Sequence, residues 1–448
     1  METVALARWQ FAITTIYHWF FVPLTLGLSL LIAILETRYV RSGDERFKRL
    51  ARFLGPILMI NFAMGVVTGI VQEFHFGLNW SEYSRFMGDI FGAPLAIEAL
   101  LAFYLESTFL GVWFFGWDKL SKKAHLVTAW LFALGSNISA YWILTANSFM
   151  QHPRGFQMEG GRALMADFFA LITNPNIFYQ FTHVLTAGIA LAGFVVLAFS
   201  AWRLLRGQEA DLFRVAFRWA AVYALIGSLL VGVIGHFQGQ FLMKAQPLKM
   251  AAAEALWETG QPAAFPIIAF PNQQTRSNGL EIRIPALVSF LAYNDFTARV
   301  EGINDLEKQA IAHYGPGNYI PPVALNFWSF RLMFGAGLLM VLLAILAVAS
   351  RQPERRPGLL KVLLWAPILP YLSSTAGWIM AETGRWPWIV FGLLKIEDAI
   401  SPNVPAGSIA FSLAILTVLY LVLAIIALKL ALRQGTQGSA AEPAVEAY

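Results

Sequence analysis

Side chains able to ligate iron or carry protons are scattered through the longest apolar segments of this chain. They lie on five different segments: His18, Glu98, Glu106, His183, Met333 and Glu382. Ionisable groups are costly within a bilayer, and those retained there usually have a function. His and Met are also common axial ligands of haem iron. The pattern therefore predicts several haem-ligand positions inside a membrane bundle.

The composition is that of an integral membrane protein. Hydrophobic residues make up 57% of the 448 residues and charged residues only 13%, against roughly 25% charged in a soluble domain. The net charge of +5 does not indicate a nucleic-acid partner, because the Lys and Arg residues lie in short loops where they set membrane orientation. Cysteine is absent, which excludes disulfides, Cys-bound iron–sulfur clusters and covalently attached haem.

The hydropathy pattern predicts an all-α integral membrane fold, a bundle of nine transmembrane helices. Windows of about 20 apolar residues occur at 10–37, 53–74, 94–117, 126–149, 177–203, 216–240, 326–350, 360–381 and 407–432. The N-terminus lacks a cleavable signal pattern, so the first window is expected to be retained. Basic residues follow the first, third, fifth and seventh windows, which predicts that these loops are cytoplasmic. The N-terminus then faces outward, and the C-terminus is cytoplasmic.

The longest connection, residues 241–325 between spans six and seven, is predicted to be a functional loop on the outer side. Its first part, FLMKAQPLKMAAAEALWET, contains Lys249 and Glu254 and is typical of an interfacial amphipathic helix. The predicted organisation is 1–240 with spans one to six, the outer loop 241–325, 326–433 with spans seven to nine, and a disordered cytoplasmic tail at 434–448.

Four of the candidate ligands are predicted at one depth near the outer face: His18, His183, Met333 and Glu382. A lone intramembrane His is more often a hydrogen-bonded core residue, and a lone Met is nearly always a packing residue. Four such residues at one level on different helices favour haem ligation. A His–Met pair suits a six-coordinate, electron-transferring haem, whereas a single His or Glu leaves a position open for oxygen.

The third window carries two carboxylates, Glu98 and Glu106, eight residues apart. On a regular helix they would be about 12 Å apart along the axis and roughly 80° apart around it, so both could face the bundle interior. The simpler interpretation is a helix–helix hydrogen bond to Ser107, Ser139 or Asn147. A proton relay is favoured, because two carboxylates in one span are costly when Ser or Thr could supply one hydrogen bond.

The remaining histidines and the tryptophans near the eighth span are predicted to have no chemical role. Histidines 75, 125, 152 and 313 are expected to be solvated at loops or span ends, while His236 stays ambiguous. Tryptophans 378, 386 and 388 are expected to form an interfacial belt, with stacking on a haem as the alternative.

Segments from nearly every span resemble subunit I of the cytochrome bd-type quinol:oxygen oxidases. The resemblance lies in RWQFAITTIYHWFFVPLTLG, NFAMGVVTGIVQEFHFGLNW, GDIFGAPLAIEALLAFYLESTFLGVWFFGW, ALGSNISAYWILTANSFMQHP, FWSFRLMFGAG and WIMAETGRWPW. It implies a terminal oxidase of the bacterial cell membrane that oxidises ubiquinol or menaquinol and reduces dioxygen to water, generating a proton-motive force without pumping. It also implies a second oxidase subunit of similar fold and a small single-span subunit.

The resemblance further implies three haems in this subunit and assigns ligands to them. His183 and Met333 match the axial pair of a low-spin haem b. His18 and Glu382 match ligands of two high-spin haems, one of type b and one usually of type d, with Glu98 nearby as a ligand or proton acceptor. Further cofactor-binding candidates are Arg331, Arg385 and Trp378.

Two more groups follow from the same resemblance. Lys249 and Glu254 match quinol-site residues of the outer loop. Four residues match the family's proton route from the cytoplasm: Glu106, Ser107, Ser139 and Asn147.

The chain departs from the family pattern in two places. Trp386 stands in GRWPW where Gln is commoner, as in a branch in which haem d is sometimes replaced by haem b, and the outer loop is of the short type. Two alternatives compete with an oxidase: a proton- or ion-coupled transporter with structural His and Met residues, and a haem-bearing assembly subunit without oxygen chemistry.

Overall fold

The computed structural model describes residues 2–436, and its architecture is a bundle of long helices. The helices are α1 Glu2–Trp19, α2 Val22–Ser42, α3 Glu45–Leu78, α4 Ser81–Ile97, α5 Tyr104–Phe115, α6 Lys122–Gln151, α7 Phe168–Ile172, α8 Pro175–Leu205, α9 Ala210–Ala245, α10 Pro247–Ala253, α11 Leu287–Tyr293, α12 Ile303–Tyr314, α13 Val323–Val348, α14 Pro357–Trp365, α15 Ile368–Thr383 and α16 Ala406–Thr436. A π-helical segment, Glu98–Phe103, joins α4 to α5, and a 3₁₀ turn, Pro353–Arg355, precedes α14.

The loops contain short pairs of antiparallel strands. The strands are β1 Phe156–Glu159, β2 Arg162–Met165, β3 Phe265–Ile268, β4 Pro271–Asn272, β5 Ser277–Asn278, β6 Ile282–Ile284, β7 Trp388–Val390 and β8 Leu394–Lys395. They pair as β1–β2, β3–β6, β4–β5 and β7–β8.

Nine segments of the described chain are long and apolar enough to cross a membrane, which confirms the predicted nine-span bundle. The segments are Glu2–Ser42, Glu45–Leu78, Ser81–Phe115, Lys122–Gln151, Phe168–Leu205, Ala210–Ala245, Val323–Val348, Pro357–Thr383 and Ala406–Thr436. Each overlaps one predicted window. The last helix runs to Thr436, so residues 434–436 are helical rather than part of a tail, and the rest of the predicted tail lies outside the described residues.

The third span is not a regular helix, so the predicted spacing of its two carboxylates is wrong. Glu98 opens the π-helical segment, and Glu106 lies in the α-helix that follows it. A π turn contains more residues than an α turn, which changes the rotation between the two side chains. Such insertions are frequent at functional sites.

The first span consists of two helices. Phe20 and Phe21 separate α1 from α2, and Pro23 lies in the first turn of α2, where its missing N–H breaks no helical hydrogen bond. As a result α1 packs on α3 and α16, whereas α2 packs on α3, α6 and α8. The break places His18 at the edge of the bundle core.

Close backbone contacts hold the centre of the bundle together. A Cβ atom at Gly27 of α2 would lie 1.9 Å from the carbonyl oxygen of Gly188 in α8, and one at Gly193 would lie 2.6 Å from the backbone nitrogen of Ala224 in α9. Small residues let membrane helices approach this closely. The largest buried apolar cluster surrounds these contacts on α2, α3, α8 and α9.

The segment between spans six and seven folds over one end of the bundle, packing on α9 and α13. We call this the loop end, and the opposite end, with the loop after α2, the basic end. The predicted amphipathic interfacial helix is wrong. Residues 241–245 continue α9, and α10 is a mostly buried helix of about two turns in which Lys249 is 2% exposed, with Glu254 just beyond it 4% exposed.

We expect Gly27→Ala to lower the melting temperature of the purified protein, because its methyl group would force α2 away from α8. Overpacking of this kind costs about 1–3 kcal/mol. Gly232→Ala in α9 is the matched control, since a Cβ there meets no atom within 4 Å. Equal melting temperatures for the two variants would contradict the proposed close contact.

Candidate functional site

A large cavity opens among the helices at the loop end. Its empty space, including the part that is open to the surroundings, is about 1240 Å³. Residues from eight helices line it, among them Trp19, Gln151, Gln180, His183, Lys249, Met333 and Trp378. The cavity therefore brings together candidate iron ligands and a candidate quinol-site residue.

His183 and Met333 enter this cavity from α8 and α13, and two glycines make room for them. A Cβ at Gly235 would lie 3.1 Å from Cε1 of His183, and one at Gly377 would lie 2.8 Å from Sδ of Met333. The buried Nδ1 of His183 has no hydrogen-bond partner among the described residues. An unpartnered imidazole and a thioether lining one cavity fit the axial positions of a haem.

His18 lies outside that cavity, at the end of α1, against α3. Thr68 donates its hydroxyl hydrogen to the carbonyl oxygen of Met64 at 2.8 Å, and its Oγ1 lies 2.9 Å from Nδ1 of His18. With the hydroxyl hydrogen directed to that carbonyl oxygen, Nδ1 of His18 is the donor to Thr68. That tautomer leaves the Nε2 lone pair free for a metal. A Cβ at Gly69 would lie 3.1 Å from the imidazole, so a glycine again provides the space.

Glu382, at the end of α15, is held by three partners. Its Oε1 accepts from Asn147 Nδ2 and from Gln151 Nε2, each at 3.1 Å, and its Oε2 pairs with Arg385. The Nε and Nη1 groups of the buried Arg385 have no partner among the described residues. Leaving such donors unpaired is costly. They fit an anionic group such as a haem propionate.

Gln151 connects Glu382 to the loop segment. Its Oε1 accepts from Nζ of Lys249 at 2.6 Å while its Nε2 donates to Glu382. The pKa of Lys249 is lowered to about 7, chiefly by burial and also by the charge of Arg385, while the charge of Glu382 acts in the opposite direction. Near neutral pH, Lys249 can therefore exist in either protonation state.

Glu254, five residues after Lys249, forms a buried ion pair with Arg331 of α13. Arg331 Nη2 donates to Oε2 of Glu254 at 2.7 Å, and its Nε donates to the carbonyl oxygen of Pro266 at 2.7 Å. Burial raises the pKa of Glu254, and the charge of Arg331 opposes that rise. The burial of Lys249 and Glu254 excludes a solvated charged face at these positions.

The two carboxylates of the third span each accept a hydrogen bond from α6. Ser139 Oγ donates to Glu98 and Ser136 Oγ donates to Glu106, both at 2.6 Å. Ser107 instead donates to the carbonyl oxygen of Phe103 in its own helical turn. Asn147 contacts Glu382 and Gln180, not Glu106. The predicted grouping of Glu106 with Ser107 and Asn147 is therefore not formed by direct contacts.

Ser136 was missed in the sequence. The signal was the antiparallel order of spans three and four. In two antiparallel spans, a residue later in one span contacts a residue earlier in the other. Glu106 comes after Glu98, so its partner on α6 should come before Ser139, the partner of Glu98, and Ser136 does.

The predicted Trp belt is wrong for two of its three members. Trp388 is buried and stacks on Tyr319 with ring centroids 5.9 Å apart. Trp378 lines the cavity and stacks on Trp19 at 4.7 Å. The guanidinium of Arg8 lies 3.3 Å from the Trp386 ring, a cation–π contact that uses the variant residue of GRWPW.

Two of the histidines predicted to be solvated are buried. His75 lies 3.2 Å from the hydroxyl of Thr14, and His125 contacts a carboxylate. His152 is half-buried, and His313 is exposed as expected. His236 contacts Asn294 of the loop segment at 2.9 Å. The solvated assignment for His75 and His125 failed because each lies on the inward face of its helix.

Comparison with known proteins agrees with these features. Residues 6–439 match the family described as cytochrome bd terminal oxidase subunit I. The chain is 46% identical to cytochrome bd ubiquinol oxidase subunit 1 of Bacillus subtilis, over 98% of this chain and 95% of the relative. It is 38% identical to cytochrome bd-II ubiquinol oxidase subunit 1 of Escherichia coli, over 94% and 93% of the two chains.

A solved structure shares the fold. It is the bd oxidase of Geobacillus thermodenitrificans, with a TM-score of 0.89 and 28% identity over 97% of this chain and 98% of that one. Matches of this length leave no span of the bundle unaccounted for. The chain belongs to the cytochrome bd terminal oxidase subunit I family.

Proposed function

We propose that this chain oxidises quinol at the loop end, and that the protons consumed in forming water enter from the basic end. Its membership in a quinol oxidase family supports quinol and dioxygen as substrates and decides against a transporter. The observation that carries the proposal is the contact between Lys249 and Gln151 in the wall of the cavity that His183 and Met333 line. A polar entry point and the candidate axial pair thereby share one cavity.

The proposed cofactors are two haems b and a third haem of type d or b. His183 and Met333 would hold the low-spin haem, while His18 and Glu382 would serve the other two. When bound, the haems transfer electrons from quinol to dioxygen. Support comes from the free Nε2 of His18 and from the unpartnered donors of Arg385. Arg331, Trp378 and Glu98 stay proposed as neighbouring cofactor contacts.

The proposed quinol site consists of Lys249 and Glu254. Oxidation of a quinol releases two electrons and two protons, so the site needs a proton acceptor and a polar group that orients the ring hydroxyls. The raised pKa of Glu254 suits a carboxylate that takes up a proton. Lys249, with a pKa of about 7, can donate to a quinol oxygen or receive its proton. Which quinone is used, ubiquinone or menaquinone, stays open in this proposal.

The proposed proton route uses the carboxylates of the third span. Glu106 lies nearer the basic end than Glu98, and each is hydrogen-bonded to a serine of α6. Ser107 and Asn147, without direct contact to Glu106, would take part only through water. In this proposal the N-terminus faces outward and the C-terminus lies in the cytoplasm. A second subunit of similar fold and a small single-span subunit complete the oxidase.

Replacing His183 with Ala or Met333 with Leu should remove or convert the low-spin haem, because each side chain would supply one of its two axial ligands. The measurement is a dithionite-reduced minus oxidised optical spectrum of the purified oxidase. Met340→Leu is the matched control, since Met340 also lines the cavity from α13. An unchanged low-spin signal in both ligand variants would rule out this pairing.

Glu106→Gln should slow oxygen consumption about a hundredfold or more with little loss of haem, because Gln keeps the hydrogen bond from Ser136 but cannot carry a proton. Glu98→Gln should disturb the high-spin optical bands more strongly. Oxygen-electrode rates and spectra across the pH range provide the readouts, with the exposed Glu45→Gln as control. Full turnover by the Glu106 variant at every pH would remove that residue from the route.

Lys249→Ala and Glu254→Gln should lose quinol-driven oxygen consumption about a hundredfold but keep it when an artificial donor reduces the haems directly. Gln at position 254 keeps an acceptor for Arg331, so the loop should stay folded. Lys244→Ala, an exposed lysine at the end of α9, is the control. If quinol-driven turnover survived both changes, the quinol site would lie elsewhere.

A further inference from the structure

A closed hydrogen-bonded group lies between α2, α5 and α6 near the basic end, away from every site described above. His125 Nδ1 lies 2.6 Å from Oε1 of Glu36, and Trp113 Nε1 donates to Oε2 of Glu36 at 2.7 Å. His125 Nε2 lies 2.8 Å from the carbonyl oxygen of Trp113. Glu36 is 1% exposed and His125 is 2% exposed. Neither residue has a part in the proposed mechanism so far.

The hydrogen bonds determine how many protons this group holds. The carbonyl oxygen of Trp113 can only accept, so Nε2 of His125 must carry a hydrogen. A second hydrogen must then lie between Nδ1 of His125 and Oε1 of Glu36, since two lone pairs do not approach to 2.6 Å. Whether it is bound to nitrogen or oxygen, the Glu36–His125 pair is neutral as a unit and holds one exchangeable proton.

The surroundings favour retention of that proton. The ring of Trp117 lies against His125, tilted by 37° with the ring centroids 4.0 Å apart, a position that stabilises an imidazolium. The nearest charged groups on the packed elements belong to the basic end. Arg52 of α3 lies 5.8 Å from the Trp117 ring and pairs with Asp118 at 4.0 Å, and Lys122 of α6 lies over Tyr39. No charge among these described neighbours contacts the pair directly.

The pair shares two helices with the proposed proton route. Trp113 follows Glu106 by seven residues on α5, which is about 10 Å along the helix axis. His125 precedes Ser136 by eleven residues on α6, about 16 Å along its axis. The pair therefore lies on the basic-end side of the Glu106–Ser136 contact. Buried Phe132 occupies the intervening turns of α6, so a proton passing between the two groups needs a transient row of several waters, each hydrogen bond covering only about 3 Å.

We propose that Glu36 and His125 form a proton-loading site that supplies Glu106 from the basic end. This inference rests on the proposed function, in which Glu106 carries protons to the oxygen-reducing site. In each cycle the shared proton leaves the Nδ1–Oε1 contact for the carboxylate of Glu106. The pair is left as neutral imidazole and carboxylate anion, and one proton from the basic end restores it. No electron is transferred in this step.

A purely structural clamp would not need an ionisable pair here. Burying charged partners is expensive, and neutral side chains of similar shape are often at least as stable. Gln at position 36 could accept from Trp113 through Oε1 and donate to Nδ1 of His125 through Nε2. It would satisfy every hydrogen bond of the group, but its amide hydrogen cannot be transferred to Glu106.

Glu36→Gln therefore separates a structural role from proton transfer. The variant is prepared as the complete oxidase complex, with Glu45→Gln at the basic end as the matched exchange. We measure the melting temperature, the haem spectrum, quinol-driven oxygen consumption from pH 6 to pH 9, and proton uptake with a pH-indicator dye after reduced oxidase is mixed with oxygen. Glu36→Gln should keep the melting temperature and spectrum but slow turnover and proton uptake about tenfold or more, most strongly at alkaline pH.

The outcomes distinguish this inference from the proposed function. Parental proton uptake and turnover in Glu36→Gln would overturn the proton-loading site, and slow turnover in Glu106→Gln would then leave the rest of the route intact. If both variants turned over at the parental rate, the proposed route itself would fail. Trp113→Phe, which removes the donor to Oε2 but not the shared proton, should keep at least half of the parental proton-uptake rate. A tenfold loss there would indicate a packing effect and contradict the inference.

Discussion

The structure depends on one constraint, that a polar group inside an apolar bundle must find its partner within the protein. The chain meets this requirement with closed pairs: Glu254 with Arg331 at the loop end, and Glu36 with His125 at the basic end. Buried polar atoms that lack a hydrogen-bond partner are therefore informative. Buried side-chain atoms without a partner occur at several places in the described chain, and among them Nδ1 of His183 and two nitrogens of Arg385 belong to residues that the proposed function places beside haem.

Irregular helix geometry positions several of the candidate haem ligands and proton carriers. The break between α1 and α2 turns His18 toward Thr68, while α2 continues into the core against α8. The π-helical turn begins at Glu98 and changes the direction of every later side chain in that span. Glycines then open space where imidazole or thioether groups approach, as Gly377 does beside Met333. The regular helices supply the scaffold, and the irregular turns direct the reactive side chains.

The spans were predictable from the sequence because hydropathy depends only on local composition. The family resemblance likewise rested on short local motifs. Contacts between distant segments were not predictable in this way. Lys249 and Glu254 resemble a solvated helix face in sequence, and only the packing of α10 against α9, α12 and α13 buries them, with Gln151 of α6 and Arg331 of α13 as their partners. Asn147 looked like a partner of Glu106, but its position on α6 places it beside Glu382.

His125, at the basic end of the bundle, is a second residue whose contacts could not be predicted from the sequence. A histidine in the first turn of a helix that begins with two lysines is expected to be solvated, and its burial depends on Glu36, which lies 89 residues earlier in the sequence. With that pair in place, carboxylates occur along the bundle from the basic end to the loop end: Glu36, Glu106, Glu98 and Glu382. Each accepts a hydrogen bond from a neighbouring helix or its own. In the proposed function, this series of carboxylates carries protons from the basic end while quinol is oxidised at the loop end, and oxygen reduction would then separate charge across the membrane without a moving part.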